Sequence, residues 1–144
     1  MAFLEKFLYL KKSELPGSGL GLFTRVDIPK GVRIVEYKGR MQPWKEVKHE
    51  DGHNAYLFKI NSRIAVNAIS YKKALGRYAN DAKGFVRIKG MLNNSEYEVE
   101  NNRVYIDAIR HIRKNKEVLV EYGGNFWALI RKIRKQNEKT EKKI

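Results

Sequence analysis

The sequence predicts an α+β domain in which short β-strands dominate. Short apolar runs recur along the chain, turn residues separate them, and helical periodicity is confined to one central piece and the C-terminal end. A doubly wound nucleotide-binding sheet is not expected. The glycine-rich stretch 17–21 is not followed by a helix, which the dinucleotide fingerprint needs to hold a pyrophosphate.

The first third of the chain predicts short strands joined by tight turns. PGSGLG at 16–21 is a glycine-rich turn. In DIPKG, 27–31, Pro29 presets φ for a β-turn and Gly31 relaxes the exit from that turn. The apolar runs around these turns are predicted as three strands, 8–12, 21–26 and 32–37.

The middle of the chain predicts a small insert and a hairpin. Residues 41–53 are polar and charged, and they predict one or two helical turns or an irregular insert. Runs 55–60 and 63–69 flank Asn61-Ser62, which favours a β-hairpin. Residues 72–84 combine a short helical pattern with glycines and predict no long regular element.

The last third predicts two more strands and a terminal helix. The strands are expected at 85–92 and 104–109, with Asn93-Asn94 and Asn101-Asn102 as turns in the Asn- and Glu-rich connections. After Gly124, apolar residues recur every third position, which indicates an amphipathic helix. We therefore expect one domain over 1–127 and a basic helix or tail over 128–144.

The charge of the chain suggests a polyanionic partner or an acidic target surface. Thirty Lys and Arg residues stand against sixteen Asp and Glu residues, which gives a formal net charge of +14. Residues 131–144 carry seven basic and two acidic side chains. This segment reads either as a solvated helix end or as a nucleic-acid contact.

The chain contains no cysteine, so neither disulfides nor a cysteine-based zinc site can hold the fold together. Its three histidines show no metal-ligand spacing, and no metal is expected. There is neither a signal-peptide pattern nor an apolar run long enough to cross a bilayer. The sequence therefore predicts a soluble intracellular protein of the cytoplasm or nucleus, a host nucleus included, with no membrane partner.

Four separated segments carry a combined signature. In chain order they are G-L-G-L-F-T at 19–24 followed by I-P-K-G and V-E-Y-K-G, then Y-L-F-K-I with V-N-A across 56–68, G-R-Y-A-N-D-A at 76–82, and E-V-L-V-E-Y-G-G-N-F-W at 117–127. Each is weak alone, but their order and intervals resemble the SET-domain protein lysine methyltransferases. The chain is similar to the compact, cysteine-free type found in small viral and bacterial proteins.

The resemblance implies a fold of several small β-sheets around a knot-like crossing, with a C-terminal helix. The Asn80 segment and the strand ending at Tyr122 would cross there to form the active site. S-adenosyl-L-methionine and the target lysine would enter from opposite faces and meet in a narrow channel. Tyr122 matches the catalytic tyrosine of the family.

The resemblance also assigns the binding residues. The backbone of the glycine turn can approach a cofactor closely, and the amide of Asn80 suits an adenine edge because it both donates and accepts. The expected cofactor-binding residues are Gly19, Leu20, Gly21, Tyr56, Arg77, Asn80, Asp81 and Trp127. The expected channel residues are Tyr56, Val120, Tyr122 and Phe126.

Each assignment has a plain structural alternative. The glycine turn could be an ordinary hairpin turn, and Asn80 could order only its own loop. Tyr56 could be a core tyrosine, while Phe126 and Trp127 could anchor the terminal helix.

The chemistry requires an uncharged lysine. A lysine with a pKa of about 10.4 is deprotonated only about once in a few thousand molecules at pH 7. A dry aromatic channel and a neighbouring positive charge both disfavour the ammonium form. A fixed phenol and backbone carbonyls can then orient the amine.

The chain departs from the family pattern at one loop. The family's N-H-S reads Asn80-Asp81-Ala82 here, which puts the hydrogen bonding behind the cofactor in question. Val120 occupies a position where relatives often place Phe or Tyr, so the number of methyl groups added cannot be read from it. A strongly basic enzyme also needs acidic residues near its site, and the candidates are Glu36, Asp81, Asp107 and Glu121.

The sequence thus predicts a methyltransferase acting on lysines of a protein substrate, a histone or another nucleic-acid-associated protein. Its basic surface would suit a nucleosome, DNA or RNA, and a homodimer is left open. Two alternatives stand: a catalytically inactive binding module with the same fold, and a small basic nucleic-acid-binding protein.

Overall fold

The computed structural model describes residues 4–51, 53–82 and 88–121. Tyr122, Phe126, Trp127 and the predicted terminal helix lie outside these ranges. The described strands are β1 (Leu8–Lys12), β2 (Leu20–Thr24), β3 (Arg33–Glu36), β4 (Arg40–Pro43), β5 (Leu57–Lys59), β6 (Ile64–Asn67), β7 (Ser95–Glu100) and β8 (Arg103–Ala108). The helical elements are α1 (Trp44–Val47) and three 3-10 turns, Glu5–Phe7, Lys48–Glu50 and Leu75–Tyr78.

The strands form three small antiparallel sheets. One pairs β1 with β2, the second has the order β3-β8-β7, and the third has the order β4-β6-β5. The helical turns between β4 and β5 and the hairpin of β5 and β6 fall where the sequence predicts them. The predicted mainly β α+β class is therefore confirmed.

Strand β7 corrects the sequence-based interpretation. The sequence predicts a connection at these residues and a strand at 85–92. Of that segment the structure describes 88–92, which contain a turn at 89–90 and no strand. In β7, Ser95 and Tyr97 are turned inward while the alternating glutamates are exposed. An antiparallel strand can keep one face in water, so its Glu-rich composition resembled a loop.

The β7–β8 hairpin closes through a predicted turn. Asn101 and Asn102 adopt φ values of 50° and 61°. A two-residue turn with positive φ at both positions matches the twist of antiparallel strands, and asparagine tolerates this conformation better than most residues. The prediction of a turn at these residues is confirmed.

Two apolar clusters hold the sheets together. The larger one joins β2, β3 and β8 to the segment before Tyr122, with Leu22, Ile34, Ile106, Val118 and Val120 among its buried members. In the smaller cluster the Tyr97 ring meets Tyr37 edge-on, at a centroid distance of 5.8 Å, and lies 5.0 Å from Phe58. This aromatic group joins the two three-stranded sheets, and such pairs add to the stabilisation from burial alone.

The segment 117–120 ties distant parts of the chain together. Leu119 forms a parallel bridge with Asn80, Val120 forms one with Ser95, and Glu117 forms an antiparallel bridge with Phe23. The first residue of β7, the loop after the third 3-10 turn and strand β2 thus meet at one short stretch. Within the described ranges, no helix combines the length and apolar character needed to cross a bilayer.

Replacing a valine in the smaller cluster should destabilise the fold selectively. Val104 is 1% exposed, whereas its cross-strand partner Val99 is 44% exposed. We expect Val104→Ala to lower the free energy of unfolding by about 2 kcal/mol, because it removes buried methyl groups and leaves a cavity. Val99→Ala, the matched control, should change it by less than about 0.5 kcal/mol. Urea denaturation measures both, and equal effects would contradict this account of the core.

Candidate functional site

The glycine turn before β2 leaves open space beside its backbone. Gly19 has a φ of 65°, and a Cβ built on it would meet no atom within 4 Å. Its carbonyl accepts a hydrogen bond from the Ser13 amide at 2.8 Å. Leu20, the next residue, is 49% exposed. A ligand could therefore approach the backbone here without displacing a side chain.

Asn80 connects this turn to the segment that leads to Tyr122. Its side-chain Nδ2 donates to the Leu20 carbonyl at 3.1 Å and lies 3.4 Å from Oε2 of Glu117. Its backbone carbonyl accepts from the Val120 amide at 2.8 Å. Asn80 therefore does not only order its own loop, because its partners lie far away in the sequence.

The loop that departs from the family pattern is held by a second asparagine. Asp81 is 4% exposed, and its Oδ1 accepts from Nδ2 of Asn93 at 2.9 Å. Oδ1 of Asn93 accepts in turn from the Ala82 amide at 2.8 Å. The Asn93 carboxamide thus gives a donor to the Asp81 carboxylate and an acceptor to the Ala82 backbone amide. These are the two positions at which the family has His and Ser. The Asp81 carboxylate is therefore buried and hydrogen-bonded to another side chain of the protein.

Tyr56 and Arg77 contact each other. The guanidinium carbon of Arg77 lies 3.9 Å from the centroid of the Tyr56 ring, and Nη1 of Arg77 donates to the carbonyls of Ala68 and Ile69, both at 2.8 Å. Its Nε is buried and has no hydrogen-bond partner among the described residues. The stack combines a cation–π contact with donors aimed at backbone carbonyls.

A buried tyrosine, Tyr37, is hydrogen-bonded to the backbone of Tyr56 in this stack. The Tyr37 hydroxyl donates to the Tyr56 carbonyl at 2.8 Å. Burial raises the pKa of Tyr37 above the usual range for tyrosine, and the Arg77 charge offsets part of that rise. Tyr37 therefore remains a neutral donor across the physiological pH range.

The acidic candidates do not form one patch. Oε1 of Glu36 lies 3.8 Å from Nη1 of Arg103, and Asp107 accepts from Nε of Arg33 at 2.9 Å. Both ion pairs lie on the β3-β8-β7 sheet. Glu121, which follows the segment 117–120 and is the last residue that the structure describes, is exposed. Among the described residues, no cluster of three or more potential metal-binding side chains occurs.

The predicted residues fall into three groups. Gly19, Leu20, Gly21 and Asn80 meet at one place, next to Val120, whose side chain is fully buried. Tyr56 and Arg77 form a neighbouring stack, and Asp81 is held by Asn93. Tyr122, Phe126 and Trp127 lie outside the described residues.

Sequence reasoning missed the residues that support the site. Nδ2 of Asn94 donates to the Glu117 carbonyl and its Oδ1 accepts from the Leu119 amide, both at 2.9 Å. The Glu117 carboxylate accepts from Ser13 and Glu14. The sequence predicts a turn at Asn93-Asn94, but the chain makes no turn there and β7 begins at the next residue. A glutamate directly before a buried apolar run was a usable signal, because a buried carboxylate needs donors.

Small antiparallel sheets that bring a glycine turn and an asparagine loop to the segment 117–120 define a SET-type domain. The SET domain family model matches residues 19–123. The chain belongs to the SET domain family.

Two curated relatives are histone-lysine N-methyltransferases by name. The chain is 32% identical over 148 residues to EZH2 of Chaetomium thermophilum, covering 94% of this chain and 9% of that protein. It is 30% identical over 119 residues to set-17 of Caenorhabditis elegans, covering 81% of this chain and 41% of that protein. The chain therefore spans less than half the length of either relative.

Solved structures show the same fold. A humanized mutant of the Chaetomium thermophilum Polycomb Repressive Complex 2, bound to the inhibitor GSK126, matches with a TM-score of 0.64 and 28% identity, over 86% of this chain and 16% of that one. ctPRC2 in an autoinhibited conformation, bound to S-adenosylmethionine, matches with the same score and identity, over 91% and 17%.

Removing the Tyr37 hydroxyl should change how stability depends on pH. Above a pH of about 10 an unfolded tyrosine loses its proton, while Tyr37 in the folded protein keeps it because its pKa is raised. The free energy of unfolding therefore falls as the pH rises through this range. We expect Tyr37→Phe to cost about 1 kcal/mol at pH 8 through the lost hydrogen bond, and this deficit should shrink above a pH of about 10.

Urea denaturation across the pH series measures this difference. Tyr71, which is 42% exposed, provides the control, since Tyr71→Phe should follow the wild-type curve at every pH. A constant gap between Tyr37→Phe and the wild type would contradict a raised pKa at Tyr37.

Proposed function

We propose that this chain transfers a methyl group from S-adenosyl-L-methionine to lysine side chains of a protein substrate, a histone or another nucleic-acid-associated protein. One observation carries the proposal. Asn80 contacts the Leu20 carbonyl with its side chain and the Val120 amide with its backbone. The glycine turn therefore lies beside the segment that ends two residues before Tyr122. The names of the two curated relatives and the S-adenosylmethionine-bound ctPRC2 structure support the same activity.

The described residues fit the cofactor. The space beside Gly19 admits a ligand, and the neighbouring Leu20 is half exposed. Asn80 is held next to this backbone, and Trp127 is proposed to cover the adenine. When bound, the cofactor supplies a methyl group on a positively charged sulfur atom.

Residues of the chain itself are proposed to orient the lysine amine and to favour its uncharged form. Tyr122 is proposed to orient the lysine amine through its hydroxyl, with backbone carbonyls as further acceptors. The Arg77 guanidinium, fixed on the Tyr56 ring, adds a positive charge beside the proposed channel. A like charge disfavours the ammonium form and so favours the neutral amine that the reaction needs.

The charge distribution favours a substrate associated with nucleic acid. An exposed cationic face surrounds β1 and the turn at 113–116. It comprises Lys11, Lys12, Arg25, Arg113, Lys114 and Lys116. Within the described ranges none of these side chains lies in an ion pair. We propose that this cationic face contacts the phosphate backbone while the lysine enters the channel.

Replacing the proposed catalytic tyrosine should abolish transfer without abolishing binding. We expect Tyr122→Phe to lower methyl transfer by about 100-fold or more, because the amine loses its orienting oxygen. Radiolabelled transfer from S-adenosylmethionine to histones or nucleosomes measures this. Tyr105→Phe, on β8, is the control and should retain the wild-type rate.

Calorimetry with S-adenosylmethionine, combined with the transfer assay, separates the alternatives. Calorimetric binding of S-adenosylmethionine with no transfer to any substrate would favour a catalytically inactive module, as the Asp81 and Ala82 replacements suggest. No binding at all would contradict the proposed cofactor site. Equal transfer by Tyr122→Phe and the wild type would remove the role given to the phenol.

The cationic face should make nucleic-acid binding strongly dependent on salt. We expect the affinity for duplex DNA to fall linearly with the logarithm of salt concentration, with a slope of about −0.9 for each neutralised phosphate. Replacing Lys114 and Lys116 with Gln should reduce the slope by about 2. Lys45→Gln with Lys48→Gln, which changes two exposed cations near α1, should leave it unchanged. Fluorescence anisotropy measures these slopes, and a flat salt profile would contradict the contact.

A further inference from the structure

Glu117 is a buried carboxylate with partners from three parts of the chain. It is 4% exposed. Its Oε2 accepts from the Ser13 hydroxyl at 2.7 Å and lies 3.4 Å from Nδ2 of Asn80, and its Oε1 accepts from the Glu14 amide at 2.9 Å. An ionised carboxylate can only accept, and here each oxygen faces at least one donor. The hydrogen bonds offset the cost of burying the charge.

The same carboxylate lies directly against Gly21. A Cβ added to Gly21 would stand 2.3 Å from Oε2 of Glu117, 2.9 Å from its Cδ and 3.2 Å from the Ser13 Cα. Real Cβ atoms do not approach other heavy atoms to within 3.0 Å, so a side chain at this position would displace the carboxylate. The absence of a side chain at Gly21 therefore serves the approach of Glu117 from inside the protein.

The contacts of Ser13 extend this arrangement to the outer end of the turn. While its hydroxyl donates to Glu117, it accepts from the Leu15 amide at 3.1 Å. The Ser13 backbone amide donates to the Gly19 carbonyl. Ser13 therefore closes the loop by its hydrogen bond to Gly19 and also joins the loop to Glu117.

We infer that Glu117 is a positioning residue for the cofactor: its buried carboxylate holds the glycine turn and Asn80 at a set distance from each other. This inference rests on the proposed function, because it assigns the turn and Asn80 to cofactor binding. Glu117 does not need to touch the cofactor. It acts by reducing the ordering that the turn would otherwise undergo on binding.

The glutamine variant tests the charge and geometry of this residue. Gln keeps the shape of Glu but replaces one acceptor oxygen with an NH2 group. That group would face either the Glu14 amide or the side-chain amide of Asn80, and both are donors. One contact is therefore lost in either orientation, and the turn should loosen.

The expected result is a change in affinity rather than in the chemical step. For Glu117→Gln we expect the Kd and KM for S-adenosylmethionine to rise about tenfold, with kcat at saturating cofactor within about twofold of the wild type. Ser13→Ala, which removes one donor, should give a smaller rise in the same direction. Isothermal calorimetry and steady-state kinetics measure these values on the full chain.

Two controls separate positioning from a loss of stability. Glu98→Gln changes an exposed glutamate of β7 and should leave the Kd unchanged. Val104→Ala destabilises the smaller apolar cluster, which contains no residue of the glycine turn, so it should lower the melting temperature but leave the Kd within about twofold of the wild type. An equal rise in Kd for Val104→Ala and Glu117→Gln would overturn the inference. If Glu117→Gln does not fold, Ser13→Ala decides the matter, and a Kd equal to the wild type overturns it.

Hydrogen exchange gives a readout that does not depend on the cofactor. The amides of residues 13–21 should exchange faster in Glu117→Gln, or in Ser13→Ala, than in Val104→Ala. Failure of the wild type to bind S-adenosylmethionine would overturn the proposed function. The ordering of the turn by Glu117 would then still be supported by faster exchange in this loop, and contradicted by equal exchange.

Discussion

The site depends on how the backbone of the segment 117–120 is satisfied. The Val118 amide donates to the Leu22 carbonyl at 2.7 Å, and the Val120 amide donates to Asn80 at 2.8 Å. The Leu119 carbonyl accepts from the amides of Asn94 and Ser95, at 2.9 and 3.1 Å. Buried backbone groups must find partners, and here those partners come from three regions. Satisfying one short stretch of backbone therefore also assembles the candidate site.

Side-chain amides form hydrogen bonds to backbone groups that neighbouring strands would form in a regular sheet. Asn94 presents an acceptor and a donor to consecutive groups of the segment, as a neighbouring strand would. Asn93 makes a comparable pair with the 81–82 loop, and the Asn80 side chain donates to the glycine turn. Short strands alone give few ladder hydrogen bonds, so these amides allow irregular loops to be packed inside a small domain. A site built this way is held by directional contacts rather than by a continuous sheet.

The sequence predicted what local patterns determine. The hairpin of β5 and β6, the turn at Asn101-Asn102 and the helical turns after β4 follow from alternation and turn residues. Strand β7 escaped because its glutamates occupy the solvent face, which resembles a loop in composition. The contact of Ser13 with Glu117 spans 104 positions, and no local pattern identifies Ser13 as the partner of that glutamate. The family resemblance predicted which segments of the chain meet, whereas only the structure identified the side chains that join them.

The loop that departs from the family pattern shows why residue identities at a site have to be weighed together with their surroundings. An Asp in place of His would leave a buried carboxylate without donors, which is costly. In this chain Nδ2 of Asn93 supplies a donor, and the same carboxamide accepts from the Ala82 amide. The loop thus keeps a satisfied interior although both side chains differ from the pattern. Since Asn80 precedes Asp81 directly, a satisfied Asp81 also helps to hold Asn80 where it meets Leu20 and Val120.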